Sequence, residues 1–179
     1  MNKTKLAVNL ALVVIVGIGI WLTLEHKATP PDNTPMLTKT IPETLPGFTL
    51  KDTDGAVRNS GEWRDKILIV NFWATWCPPC LEEMPTLIDF QKQYSANGVQ
   101  VIGVAVDNLE QVKSFIADHG INFPVMIGSD DAISLAQQMG NRIAVLPYTA
   151  IFDKNGKTLY AQPGKITKEL LKTTIKPLL

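Results

Sequence analysis

Cysteine and histidine are scarce in this chain: 179 residues hold Cys77, Cys80, His26 and His119 and no others of either type. A structural zinc site would need all four, or ligands borrowed from a second chain, so no metal is expected. A c-type haem attachment is excluded too, because it needs a histidine directly after the second cysteine and position 81 is Leu. Charge of one sign is not in excess: 17 basic and 17 acidic residues leave a formal net charge of zero. The sequence therefore offers no basic face or stripe for a nucleic-acid partner.

What is there is concentrated in one place. The run Ile67-Leu68-Ile69-Val70-Asn71-Phe72-Trp73-Ala74-Thr75-Trp76 leads an apolar strand into Cys77-Pro78-Pro79-Cys80. A Cys-x-x-Cys pair where a buried strand turns into a helix reads as a redox dithiol, because the helix N-terminus stabilises a thiolate. A purely structural bridge across so short a loop would remove little unfolded-state entropy and stabilise the fold weakly. Cys77 is expected to be the exposed attacker and Cys80 the buried resolver, with a mixed disulfide between the two steps of exchange. No cofactor is needed for that chemistry.

Pro78 and Pro79 remove two N–H donors that could point at the Cys77 sulfur, which favours a less oxidising pair. They also start a helix rigidly, a position where proline is well tolerated. Glu83 lies three residues after Cys80 and shares its helix face. Buried there, it would hold its proton more tightly and could exchange it with Cys80; the plainer reading is an acid facing the helix dipole, as for Glu82. Pro85 should kink the helix one turn further on.

The N-terminal part has a different character. Lys3 and Lys5 precede Leu6 to Leu24, an apolar stretch whose strongly polar member is Asn9 and whose length suits a bilayer-crossing helix. A cleaved signal peptide would end at small residues spaced A-x-A, but Glu25-His26-Lys27-Ala28 puts His26 at the small position. An uncleaved signal anchor is expected, with the lysines holding the N-terminus in the cytoplasm and the rest of the chain on the periplasmic or outer side. Residues 1–26 read as n-region and anchor, 27–45 as a Pro-rich tether, and 46–179 as the folded domain.

In that domain short apolar runs alternate with helical patterns, the mark of an α/β layer fold. Phe48 to Leu50 and Ala56 to Arg58 suggest a small hairpin before the main sheet. Strands are expected over Ile67–Trp73, Val99–Val106 and Phe123–Ile127, and a hairpin over Tyr148–Phe152 and Lys157–Gln162. Helices are expected from Cys77 to about Tyr94, Leu109 to His119, Asp131 to Met139 and Thr167 to Lys176.

Three stretches carry a resemblance: Val70 to Pro85, Val101 to Val104, and Leu146-Pro147-Tyr148 to Gly156. Together they resemble the thioredoxin superfamily and, within it, the membrane-anchored TlpA, ResA and CcmG group of extracytoplasmic thiol–disulfide oxidoreductases. The resemblance implies a three-layer α/β sandwich around a central mixed sheet, with an N-terminal hairpin extension and an insertion before a cis-proline. It implies Cys77 as nucleophile, Cys80 as resolver and Pro147 as the cis-proline, with Leu146 offering its backbone to an extended substrate. Trp73 and Trp76 match family positions that shape the surface around the dithiol, Trp73 being equally readable as core, and Pro78 and Pro79 are expected with Trp76 to bind substrate. Glu83 matches the acidic residue found just after the motif in this group, and Asn71 stands where thioredoxins proper carry a buried acid. Tyr148 stands where many relatives have a small hydroxyl residue.

The expected activity is reduction of disulfides in exported proteins, such as cytochrome c precursors or copper-site cysteines, with electrons from a membrane thiol–disulfide transporter. A disulfide-forming oxidant of the same fold is the alternative. A thiol peroxidase would need Thr three residues before the cysteine, whereas Thr75 is two before Cys77. A copper carrier would use the thiolates as soft ligands, but no Met or His cluster stands in register with Cys77.

Overall fold

The computed structural model describes residues 41–179. The expected anchor and most of the expected tether lie outside the described residues. No helix among the described residues is long and apolar enough to cross a membrane.

The chain first forms β1 (Thr49–Asp52) and β2 (Val57–Asn59), then β3 (Ile67–Trp73), α1 (Pro78–Tyr94), β4 (Val99–Val106), α2 (Leu109–His119) and β5 (Val125–Gly128). After α3 (Asp130–Gln138) come β6 (Tyr148–Phe152), β7 (Thr158–Pro163) and α4 (Lys168–Ile175). Every residue of β3 is buried, as its unbroken apolar run requires of a strand covered on both faces. Alternate side chains of β3 then feed two separate cores. Ile67, Ile69 and Trp73 pack with Met84, Leu87 and Phe90 of α1, Val112 and Phe115 of α2, and Leu171 and Ile175 of α4. Leu68, Val70 and Phe72 pack on the other face with Ala132, Leu135 and Ala136 of α3. Helix layers therefore cover both sides of the sheet, as expected of a three-layer thioredoxin-like sandwich.

The sheet has seven strands in the order β2-β1-β5-β4-β3-β6-β7. Its centre is parallel, with β3 beside β4 and β4 beside β5, while β6 and β7 run antiparallel beyond β3. One pairing differs from the local expectation. The N-terminal hairpin is not a separate unit before the sheet: Lys51 pairs with Ile127 and Asp52 with Met126, so it forms the sheet's edge through β5. Nothing in either short segment encodes that non-local pairing; it exists because β5 leaves a free edge that β1 completes.

Residues 41–45, expected as the end of the tether, lie along the turn into β7. Leu45 N–H donates to the Gly156 carbonyl at 2.7 Å and Thr158 N–H to the Glu43 carbonyl at 2.9 Å. The helix α1 runs through Pro85 to Tyr94. At the C-terminus of α2, Gly120 takes φ 63° and ends the helix in the left-handed region, which favours glycine.

Candidate redox site

The end of β3 delivers Cys77 to the N-cap of α1, and Pro78 and Pro79 occupy the first two helical positions. Cys77 and Cys80 are joined by a disulfide, with Cα atoms 5.3 Å apart. The first turn has few amides to offer a sulfur. Both prolines lack an N–H, while the N–H groups of Cys80 and Leu81 donate to the Cys77 carbonyl at 3.0 and 3.2 Å. Among the described residues, the first-turn amides are thus absent or already bonded to oxygen.

Cys80 is fully buried, as expected, but so is most of Cys77, which is 4% exposed. The expectation of an exposed attacker is corrected for this oxidised state: the bond ties the Cys77 sulfur to a side chain inside the core. Exposure at the rim falls instead to Trp76, at 65%, and to Pro78 and Pro79. Trp76 sits on a loop fixed from below by Asp107, at the end of β4. One carboxylate oxygen of Asp107 accepts from the Thr75 N–H at 2.8 Å and from the Thr75 hydroxyl at 2.6 Å.

Across the site, the Leu146–Pro147 peptide bond is cis. Asn141 shapes the approach to it: its amide donates to the Val145 carbonyl at 2.8 Å and its carbonyl accepts from the Val145 N–H at 3.0 Å. Between this loop and the dithiol loop lies an apolar cleft of about 190 Å³, lined by Trp76, Val106, Ile133, Ala136 and Leu146 among others. Ile143 and Val145 stand exposed beside it. Tyr148 does not enter that groove. It is buried, its hydroxyl donates to the Met139 carbonyl at 2.7 Å, and burial pushes its pKa up to about 12.

Glu83 is 1% exposed on the inner face of α1, the same helix that carries Cys80. Its Oε1 accepts from Asn71 Nδ2 of β3, and its Oε2 from the Ile166 N–H before α4, both at 2.7 Å. Burial pushes its pKa up from 4.5 to about 7, outweighing those two donors and the positive charge of Lys165. Tyr160 of β7 also faces it and holds its own proton more tightly, first through burial and then through the charge on Glu83. Lys165 itself is engaged at the surface, 2.7 Å from Glu82. Asn71 completes the group by donating a second bond to Thr149 Oγ1 of β6 at 3.0 Å.

The dithiol, Glu83 and the cis-proline are thus brought together at one end of the sheet. Sequence reasoning missed Asp107, Asn141 and Thr149. Thr149 left a signal: Asn71 and Thr149 are the polar residues of two otherwise apolar strands, and the antiparallel register sets them opposite each other.

A strand-to-helix dithiol over a mixed sheet, faced by a cis-proline, defines a thioredoxin-like protein that exchanges disulfides. Residues 41–175 match the redoxin family. A thiol-disulfide oxidoreductase ResA of Geobacillus thermodenitrificans is 35% identical over 141 residues, covering 76% of this chain and 79% of that one. A ResA of Bacillus anthracis is 29% identical over 177 residues, 98% of each chain. Among solved structures, a thiol:disulfide interchange protein of the thioredoxin family from Chlorobium tepidum superposes with a TM-score of 0.69 at 30% identity, covering 76% of this chain and 96% of its own. The chain belongs to the redoxin family and is a thiol-disulfide oxidoreductase.

Proposed function

We propose that the protein is a membrane-anchored reductase of disulfides in exported proteins, working on the outer side of the cytoplasmic membrane. The observation that carries the direction of the reaction is the first turn of α1, where two prolines and two engaged amides leave the Cys77 sulfur without backbone donors. A strong oxidant needs an unusually stabilised thiolate, and this turn withholds that stabilisation. The apolar run Leu6 to Leu24 supports the anchor, as does an alignment to a ResA that extends over nearly the whole chain.

In the reduced enzyme the Cys77 thiolate attacks a client disulfide. A Cys77–client bond forms, the client's disulfide breaks, and its other sulfur leaves as a thiolate that takes up a proton. Glu83, as carboxylate, accepts the proton of the Cys80 thiol, and the Cys80 thiolate attacks the Cys77 sulfur. The second client sulfur leaves as a thiolate and takes up, through water, the proton that Glu83 had accepted. The client has gained two electrons and two protons, and the enzyme is left with the Cys77–Cys80 disulfide seen here. A dithiol of a membrane thiol–disulfide transporter reverses the exchange, and a proton from that dithiol passes through Glu83 to Cys80. Trp76, Pro78, Pro79 and Leu146 form the surface that holds the client, with the buried cis-Pro147 behind it setting the Leu146 backbone. The cleft beside Trp76 and Leu146 takes an apolar side chain next to the client's cysteine. Cytochrome c precursors and copper-site cysteines are the clients proposed.

Trapping tests the order of attack. Cys80→Ala in cells should accumulate mixed disulfides through Cys77, resolved by non-reducing gels and mass spectrometry, while Cys77→Ala should accumulate none. The same clients trapped by both variants would overturn the assignment.

A further inference from the structure

Asn71 lies in the core between two oxygens of different kinds. Its Nδ2 donates to Glu83 Oε1 at 2.7 Å and to Thr149 Oγ1 at 3.0 Å, and its Oδ1 is buried with no partner among the described residues. That pattern suits one protonation state of Glu83. An ionised carboxylate only accepts, so it is matched by the NH₂ of the amide facing it; a carboxylic acid also has a proton to donate, and an amide oxygen facing it takes that proton.

We propose that the Asn71 amide turns over when Glu83 gains or loses its proton, with the Thr149 hydroxyl reversing from acceptor to donor at the same moment. With Glu83 ionised, Nδ2 serves both neighbours as seen here. With Glu83 protonated, Oδ1 takes that place and accepts both the Glu83 O–H and the Thr149 O–H. The hydroxyl is the residue type that permits this, since it donates or accepts by rotating one bond. The outer atom of the amide is unpartnered in either orientation, an oxygen in the ionised state and an NH₂ in the protonated one, so the turn is driven by the inward contacts with Glu83 and Thr149.

The remaining neighbours do not provide this adaptability. The Ile166 N–H can only donate, which keeps Oε2 unprotonated and directs the proton to Oε1, on the Asn71 side. Lys165, in the same loop, adds positive charge but is bonded to Glu82. Tyr160 faces Glu83 from β7, and on α1 the redox partner is Cys80. Asn71 and Thr149 are therefore positioning residues: they let a carboxyl in a dry core change state without leaving the hydrogen bond between Glu83 and Asn71 mismatched. The inference rests on Glu83 as the proton carrier of the proposed exchange. It is read, however, on the oxidised protein without turnover.

The test is NMR of the isotope-labelled full chain in micelles, across the titration of the Glu83 carboxyl. Above the midpoint the Asn71 side-chain amide protons should show cross-peaks to the Thr149 side chain; below it those cross-peaks should vanish as the amide nitrogen shift changes with the same midpoint. Thr149→Val removes one Asn71 bond in each state, but it strands an inward Nδ2 proton when Glu83 is ionised and leaves Oδ1 still paired with the Glu83 O–H when it is protonated, so it should raise the Glu83 midpoint by about one unit. Thr149→Ser should keep the wild-type value. Cross-peaks retained on both sides of the titration, or a Thr149→Val midpoint equal to that of wild type, would overturn the inference. Failure of the catalytic reading is separable: a Glu83→Gln variant with wild-type exchange rates would remove the role of Glu83 and leave the amide's rotation to be seen or not.

Discussion

Glu83 carries a carboxyl group into a region that offers it two short hydrogen bonds and little water. Burial prevails, and the group holds its proton up to about pH 7. The consequence for stability has a definite sign. In the unfolded chain the same carboxyl titrates near 4.5, so the folded state binds the proton more tightly. Its contribution is full below about pH 4.5 and is lost as pH rises to about 7, and a shift of that size corresponds to on the order of 3 kcal/mol. Urea denaturation of the oxidised protein between those limits should show stability falling with rising pH, and Glu83→Gln should flatten that slope. An unchanged slope in the variant would place the proton uptake on another group. The motif spacing already placed Glu83 on the Cys80 face of the helix. Its partners were not legible, because the Ile166 N–H reaches it from 83 positions away in the chain and Asn71, its other donor, is held by Thr149 across 78 positions.

At the scale of the element, the start of α1 sets the chemistry of the dithiol. Pro78 and Pro79 were readable in the sequence as missing donors, and the structure adds that the next two amides are engaged by the Cys77 carbonyl. Pro79→Ala restores one N–H in the first turn, aimed toward the N-cap side chain. A hydrogen bond to a charged group contributes about 1.5–3 kcal/mol, which corresponds to roughly 30–60 mV for a two-electron couple. The potential of Pro79→Ala, from equilibration with glutathione, should move in the oxidising direction by about that amount. A shift toward more reducing values would show that the prolines act through rigidity rather than through the missing donor. Strand β3 and helix α1 were legible because both have strong local patterns, an unbroken apolar run and a cap with two prolines. The exposure of Cys77 was misjudged because the bond to the buried Cys80 and the packing around it, which no local pattern of residues records, leave it 4% exposed.

For the whole molecule, local signals gave most of the elements, and tertiary pairing gave their arrangement. The seven-stranded order follows from β1 completing the edge of β5, a non-local contact between two strands of four residues each. The loop that presents Leu146 depends on one side chain, Asn141, bonding both ways to the Val145 backbone. Neither had a signature in composition or periodicity. The dithiol, the cis-proline and Glu83 nonetheless meet at one end of the sheet, where the motif's position between strand and helix had placed the chemistry.

The direction of electron flow is the central claim, and the reduction potential of the Cys77–Cys80 pair in the full chain, equilibrated in detergent against a defined thiol–disulfide buffer, tests it most directly. A value near or below roughly −220 mV is expected, that of a reductase requiring a supply of electrons; a value near −120 mV would contradict it and make the protein a disulfide donor.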